Sequence, residues 1–361
     1  MAAQRRSGAG GRSGATPRLV AIVLLTAVAA AIAWIVLGVA GSEGGARRGG
    51  VVQRRPTALA KTKPKPKPSP HPRSPSAFAV GLTSIRLLDR SRKITLPDGA
   101  VQPRPLLTIV RYPALGAPAA TDVAGAPPAR AEGPFPLIVF GHGFAVTPAT
   151  YSRLLQSWTR AGFVVAAPVF PLGNARAPGG PNEADLVNQP ADMSFVISHM
   201  LAATAASGGA LAGMIDPRAI AVAGQSDGGD TALAVAYDPR FRDARIDAAV
   251  ILSGAEIPGE GPFSFRAGGP PLLATQGTAD TINLPQETDR FFAAARAPKY
   301  LLRLLGAEHL PPYSFEQPQL GIVERVSTAF LYGYLKHRRG ALRRLTTLGT
   351  LEEKASLVAV R

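Results

Sequence analysis

The sequence predicts an α/β fold, in which a mostly parallel sheet of about eight strands carries helices on both faces. Two observations lead to this prediction. The strand-length segments are unbroken apolar runs rather than alternating ones, as at 136–140 and 248–252. Such runs are typical of parallel strands that are buried on both faces. Segments of helical length separate these runs, and this alternation is typical of parallel sheets.

The elements follow one another in a regular order along 77–361. The predicted strands are 85–89, 106–112, 136–140, 163–167, 219–223, 248–252, 272–275 and 300–304. The predicted helices are 147–161, 183–206, 286–295 and 317–337, with a further helix directly after 224–229. Sheets of this kind place their functional sites at the carboxyl ends of the strands.

Composition excludes several classes of site. The chain has 361 residues and no cysteine, which excludes disulfides, thiolate metal sites and a cysteine nucleophile. Its net charge is +16, but residues 1–75 hold 13 of the 40 basic side chains and one of the 24 acidic ones. The remainder is only slightly basic and has no basic stripe interleaved with aromatic residues, so we expect no nucleic-acid partner.

The N-terminal part predicts a membrane anchor. Residues 19–40 carry no charge, and an α-helix needs about 20 such residues to cross a bilayer. Four arginines precede this stretch, so the positive-inside rule makes 1–18 a cytoplasmic segment and places 77–361 outside the cell membrane. Four arginines between 47 and 55, on the other side of the stretch, weaken the argument for that orientation. The alternative is a cleaved signal peptide ending near Ala40, which would make the protein secreted.

Residues 41–76 form a Lys/Pro-rich linker. Prolines alternate with lysines and other residues from Pro64 to Pro72, and this pattern favours an extended polyproline II spacer. The lysines would attract anionic cell-wall polymers or lipid headgroups. A solvated spacer without a ligand is the equally open alternative.

A candidate nucleophile lies at the end of the apolar run 219–223. Gly224-Gln225-Ser226-Asp227-Gly228-Gly229 has the G-x-S-x-G pattern, followed by a helix-compatible stretch. In this pattern a strained turn between strand and helix exposes the serine hydroxyl, and only small neighbours permit that turn. We therefore predict Ser226 as the nucleophile.

The other two members of a catalytic triad are expected later in the chain, first the acid and then the histidine. Asp280 follows the strand 272–275 and is the favoured acid, with Glu256 as its rival. His309 follows the last strand and is the favoured base. The other four histidines are poorly placed: His71 is in the linker, His199 and His337 fall on predicted helices, and His142 precedes the nucleophile.

The segment Gly141-His142-Gly143-Phe144 ends the strand 136–140, where an oxyanion loop belongs. The backbone N–H groups of Phe144 and Asp227 are the predicted oxyanion donors. We expect His142 to support this loop rather than to take part in catalysis.

Over about 80–340, the chain resembles α/β-hydrolase esterases of the dienelactone hydrolase, chlorophyllase, cutinase-like polyesterase and platelet-activating-factor acetylhydrolase group. The resemblance rests on 133–144, on the serine hexapeptide and on 275–281. It implies a serine carboxylester hydrolase that needs no cofactor and no metal. Two positions depart from the group: Gln225 stands where many members have histidine, and Asp227 where many have an apolar residue.

The stretch 254–271 is too short for a separate lid domain, so we expect an open cleft that admits short-to-medium acyl or polymeric esters. Four aromatic residues are candidates to line it: Phe144, Phe263, Phe265 and Tyr313. The alternatives are a peptidase or thioesterase on the same scaffold, and a catalytically inactive binding protein anchored at the cell wall. An aminopeptidase would need an acidic cluster beside the site, for which the sequence offers only Glu260 and Glu308.

Overall fold

The computed structural model describes residues 77–259 and 263–361. The predicted cytoplasmic segment, membrane anchor and linker lie outside these ranges, and so does Glu260. Every helix inside them is too short or too polar to span a bilayer.

The described strands form one sheet. Their bounds are β1 Ala79–Thr95, β2 Val101–Ala114, β3 Val123–Ala124, β4 Phe135–Gly141, β5 Val164–Val169, β6 Ile215–Gln225, β7 Ala248–Leu252, β8 Leu272–Gly277, β9 Lys299–Leu304 and β10 Ala355–Val360. Their order across the sheet is β10-β9-β8-β7-β6-β4-β5-β2-β1-β3.

The helices cover both faces of this sheet. Their bounds are α1 Ser152–Arg160, α2 Gln189–Ala205, α3 Asp227–Tyr237, α4 Pro285–Ala294, α5 Pro311–Ser314, α6 Gln319–Leu335 and α7 Arg339–Gly349. Short 3-10 segments at Pro148–Tyr151 and Glu183–Asn188 lead into α1 and α2. The α/β class and all the predicted strands are therefore present.

The sheet is mixed, with ten strands among the described residues, which corrects the prediction of about eight mostly parallel strands. The centre from β4 to β9 is parallel. The long β1–β2 hairpin and β10 pair antiparallel at the flanks. Strands β1 and β2 extend far beyond the predicted 85–89 and 106–112. Burial alternates along much of β1, and one-sided strands lack the continuous apolar run of a central strand.

The core lies on both faces of the sheet. In β4, Ile138 packs with the cluster under α1 and α6, whereas its neighbour Val139 packs with the cluster under α2 and α3. Both side chains are fully buried. Trp158 of α1 donates its indole N–H to Ser327 of α6 over 2.8 Å, which joins two helices on one face. The unbroken apolar runs of the sequence follow from this two-sided burial.

The register of the central strands positions the candidate site. Gly141, the last residue of β4, lies opposite Gly224 near the end of β6. The loop after β4 and the turn after β6 therefore meet at the same edge. The segments after β8 and β9 reach that edge as well, because these strands run in the same direction.

Candidate active site

Ser226 occupies a strained turn between β6 and α3. Its backbone has φ 56° and ψ −130°, in a region that non-glycine residues rarely adopt. A Cβ atom on Gly224 would lie 1.9 Å from the carbonyl oxygen of Gly228, and one on Gly228 would lie 2.1 Å from that of Gly141. The two glycines are therefore required by backbone crowding around the serine.

The loop after β4 lies against this turn. A Cβ atom on Gly143 would be 3.1 Å from Cβ of Ser226, so the two backbones approach closely. His142 braces the loop: its Nδ1 contacts the carbonyl oxygen of Gly143 at 2.8 Å, and its Nε2 accepts the backbone N–H of Phe170 at 3.0 Å. Burial lowers the pKa of His142 to about 4, so this ring is neutral and supports the loop, as expected.

The two predicted oxyanion donors differ in their surroundings, because the Asp227 carboxylate accepts its own backbone N–H. Within the described ranges, the backbone N–H groups of Phe144 and Asp227 donate no hydrogen bond to another residue. The Asp227 amide is the first of α3, where unpaired N–H groups and the helix dipole favour negative charge. The Phe144 group is thus available to stabilise an oxyanion beside Ser226, whereas the Asp227 carboxylate competes for its own N–H.

Asp280 and His309 form a hydrogen-bonded pair. Oδ2 of Asp280 accepts from Nδ1 of His309 at 2.8 Å, while Oδ1 accepts the backbone N–H groups of Ile282 and Asn283. The Asp280 carboxylate is buried, and the His309 side chain is 12% exposed. Among the described residues, no hydrogen bond or ion pair joins the rival Glu256 to His309.

Gln225 links the histidine to the oxyanion loop. Its side-chain N–H donates to the carbonyl oxygen of His309 at 3.0 Å, and the same nitrogen lies 3.2 Å from Nε2 of His309. Its oxygen accepts the hydroxyl of Tyr151 at 2.6 Å, and that hydroxyl accepts the N–H of Gly143 at 3.2 Å. Since a carbonyl only accepts, the orientation of the amide is fixed.

The same contacts define the state of the imidazole. With Nδ1–H donated to Asp280, the lone pair of Nε2 is left to accept a proton. In this structure the lone pair accepts an N–H of the Gln225 amide at 3.2 Å, and among the described residues no hydrogen bond joins it to the Ser226 hydroxyl. The ring therefore has the tautomer that a general base requires.

Comparisons with known proteins show what the chain and its fold are similar to. The family model described as Chlorophyllase matches residues 116–279, which include the oxyanion loop and Ser226 and end one residue before Asp280. Among solved structures, a ferulic acid esterase from Streptomyces cinnamoneus matches with a TM-score of 0.56 at 22% identity, over 74% of this chain and 93% of that one. The protein therefore resembles α/β-hydrolases of the esterase group in its fold and over the matched segment. No curated protein matches the sequence.

The structure places three of the four candidate lining residues in the interior of the protein. Tyr313 is fully buried, and its hydroxyl bonds to Ser253 and Thr275. Phe263 and Phe265 are at most 9% exposed and pack in the core. Phe144 alone is half-buried beside the turn. The described parts of 254–271 contain no helix or strand.

An acidic cluster that sequence reasoning missed adjoins the serine. Asp227 and Asp230 lie in the first turn of α3 and are 7% and 6% exposed. Glu183 is exposed at the start of a 3-10 segment, within electrostatic range of both. Burial and Glu183 raise the pKa of Asp227 to about 7. Glu308, the candidate from the sequence, is an exposed side chain.

A buried ion network holds the Glu183 segment in place. Arg104 of β2 makes paired hydrogen bonds of 2.8 and 2.7 Å to Asp185. It also bonds to both carboxylate oxygens of Asp192, at 2.7 and 2.6 Å. All three side chains are nearly inaccessible. Because Glu183 and Asp227 are 44 residues apart in the chain, no local pattern predicts the cluster.

A cavity of about 490 Å³ lies at the opposite edge of the sheet. Its lining includes Phe135 at the start of β4 and Lys336 after α6. Burial lowers the pKa of Lys336 to about 8, while its ammonium donates to the carbonyl of Ala161. This cavity is separate from the site, because Ser226 lies at the carboxyl ends of the strands and Phe135 at an amino end.

Proposed function

We propose that this protein is a serine carboxylester hydrolase in which Ser226 is the nucleophile, His309 the base and Asp280 the group that orients the base. The observation that supports the proposal most strongly is the 2.8 Å pairing of His309 with Asp280 at the sheet edge where Ser226 occupies its strained turn. A histidine held by a buried carboxylate, at the strand ends where a serine occupies a strained turn, is the arrangement that activates serine.

The proposed reaction proceeds through an acyl-enzyme. Nε2 of His309 takes the proton of the Ser226 hydroxyl while Oγ attacks the ester carbonyl. The N–H groups of Phe144 and Asp227 stabilise the resulting oxyanion. The imidazolium then protonates the departing alkoxide, and water hydrolyses the acyl-serine by the same steps in reverse.

We propose short-to-medium acyl or polymeric esters as substrates. The shortness of the stretch 254–271, with its buried Phe263 and Phe265, supports an open approach to the serine rather than a closed lid. The chlorophyllase match supports ester bonds over amide or thioester bonds. The test is designed to distinguish this proposal from three alternatives, namely a peptidase, a thioesterase and a protein without catalytic activity.

The test compares acyl groups and leaving groups on the full-length protein. We expect hydrolysis of p-nitrophenyl acetate and butyrate, little release from butyryl p-nitroanilide, and loss of turnover in Ser226→Ala. Ser207→Ala is the matched control, since Ser207 is an exposed serine outside the site. Faster cleavage of the anilide or of a butyryl thioester would reassign the reaction, and retention of full activity by Ser226→Ala would overturn the proposal.

We also propose that the catalytic part lies outside the cytoplasm, anchored by 19–40. The uncharged stretch and the arginines before it support this proposal. Because the chain has no cysteine, single substitutions report topology cleanly. In intact cells, a membrane-impermeant maleimide should label Ser207→Cys but not Ser13→Cys. The reverse pattern would contradict the proposal, and an intact mass lacking 1–40 would indicate cleavage instead.

A further inference from the structure

Asp227 is a buried carboxylate without a full set of partners. It follows the candidate nucleophile directly and is 7% exposed. Its Oδ2 has no hydrogen-bond partner, and no basic side chain in the described ranges pairs with it. A buried unpartnered acceptor costs free energy, so its persistence beside a catalytic serine points to a donor that arrives with the substrate.

The surroundings of Asp227 add negative charge. Glu183 on the 3-10 segment and Asp230 on α3 are the carboxylates within electrostatic range. Tyr151, on the side of the oxyanion loop, is the other titratable group that interacts with it. Asp230 has a partner, since its Oδ1 accepts the N–H of Ala255 at 2.6 Å. Asp227 is therefore the member of the cluster whose carboxylate has a buried oxygen without a hydrogen-bond partner.

We propose that Asp227, with Glu183 at the rim, forms a subsite for a protonated primary amine carried by the ester substrate close to its scissile bond. The inference rests on the proposed serine esterase activity and specifies its substrate class. A primary ammonium supplies N–H donors and a positive charge, which together satisfy the free oxygen and the cluster. A quaternary ammonium would supply charge alone.

The same subsite explains how an acid is tolerated beside the oxyanion hole. An ionised Asp227 opposes the negative charge that develops on the ester oxygen at the neighbouring N–H groups. A bound ammonium neutralises the carboxylate and removes this opposition. The protein should therefore stabilise the transition state of an amino ester more than that of a neutral ester of equal shape. This gain should come in addition to tighter binding of the amino ester.

The test uses two p-nitrophenyl esters of nearly equal shape, the 3-aminopropanoate and the butanoate, in which an ammonium replaces a methyl group. The readout is the ratio of their kcat/KM values at pH 8, above the pKa of about 7 of Asp227. Comparing this ratio between variants cancels the intrinsic reactivity of each ester. The variants are Asp227→Asn and Glu183→Gln, with Glu132→Gln as the matched control, because Glu132 is exposed near the opposite edge of the sheet.

We expect the ratio to fall about tenfold or more in Asp227→Asn, as for loss of a charged hydrogen bond. It should fall about twofold to fivefold in Glu183→Gln, whose charge is exposed, and stay unchanged in Glu132→Gln. A purely structural role would lower both rates alike and leave the ratio constant. A constant ratio in both Asp227→Asn and Glu183→Gln overturns the inference.

Two outcomes separate this inference from the proposed function. If Ser226-dependent butanoate hydrolysis is present and neither variant changes the ratio, the subsite proposal is refuted and the esterase proposal stands. If neither ester is hydrolysed, the esterase proposal fails, and thermal unfolding at pH 8 tests the subsite without activity. Propylammonium should then raise Tm more than 1-propanol in the wild type but not in Asp227→Asn. Equal shifts would overturn the subsite.

Discussion

The side-chain amide of Gln225 donates a hydrogen bond to the backbone carbonyl of His309 over 3.0 Å. The residue directly before the nucleophile therefore holds the loop of the candidate base. Through Tyr151, the same amide is joined to Gly143 in the oxyanion loop. Burial raises the pKa of Tyr151 above its ordinary range, so its hydroxyl stays protonated and donates throughout the working pH. One chain of hydrogen bonds thus spans three parts of the site.

Replacing Gln225 should slow catalysis without abolishing it. Gln225→Leu removes bonds that are each worth about 0.5–1.5 kcal/mol, so we expect kcat for p-nitrophenyl butyrate to fall about tenfold with little change in KM. Tyr151→Phe breaks the same chain. The double variant should therefore be barely slower than Gln225→Leu, because neighbours in one network are not additive. Fully additive losses would contradict the linked chain.

Gly224 should not tolerate a side chain. In Gly224→Ala the new Cβ would meet the backbone of Gly228 at 1.9 Å, and backbone cannot yield as a flexible side chain does. We expect a loss of about 3 kcal/mol or more in the free energy of unfolding, measured in urea. Gly208→Ala is the control, since nothing lies within 4 Å of its Cβ position. Equal effects of the two substitutions would refute the crowded turn.

Asp227 should make stability depend on pH. Its pKa is raised from 3.8 to about 7 in the folded state, so the stability it contributes is full below pH 4 and is lost as pH rises through 7. Asp227→Asn lacks this loss. The free energy of unfolding of Asp227→Asn, relative to that of the wild type, should rise by about 2 kcal/mol from pH 5 to pH 8. Urea unfolding at both pH values measures this difference. A gain of the same size in Glu132→Gln would show that the effect is not specific to this site.

Arg104 should be essential for stability. Arg104→Met leaves Asp185 and Asp192 buried without their shared partner, which costs about 3–5 kcal/mol. Arg218→Met removes an ion pair whose arginine is 87% exposed and should change stability by less than about 0.5 kcal/mol. Because the network also positions Glu183, Arg104→Met should lower the preference for the amino ester. Thermal unfolding and the two-ester ratio measure the two effects.

The sequence predicts the centre of the fold better than its edges. Runs such as 136–140 and 248–252 specify strands because both of their faces are buried, and these strands match β4 and β7 closely. At the flanks, α7 and β10 were not predicted. Residues 339–349 are rich in arginine and expose most of one face, and 355–360 form an edge strand with only one buried face. Such segments carry too little apolar signal.

The candidate site, too, is predicted only in part by the sequence. Ser226, Asp280 and His309 each follow an apolar strand, so their placement at one edge follows from strand direction. Gln225 and Tyr151 were not predicted as a linked pair, because their contact depends on side-chain direction across 74 residues. The sequence makes Tyr313 a candidate to line the cleft, whereas the structure buries it. An aromatic residue near a loop end is equally compatible with either position.

Covalent labelling of Ser226 tests the central claim most directly. The full-length protein is treated with a fluorophosphonate and digested, and the modified residue is located by mass spectrometry, in the wild type, Ser226→Ala and His309→Ala. The account predicts a single adduct on Ser226, lost in Ser226→Ala and formed far more slowly in His309→Ala. An adduct on another serine, or none while the protein remains folded, would contradict the assignment of Ser226 as an activated nucleophile.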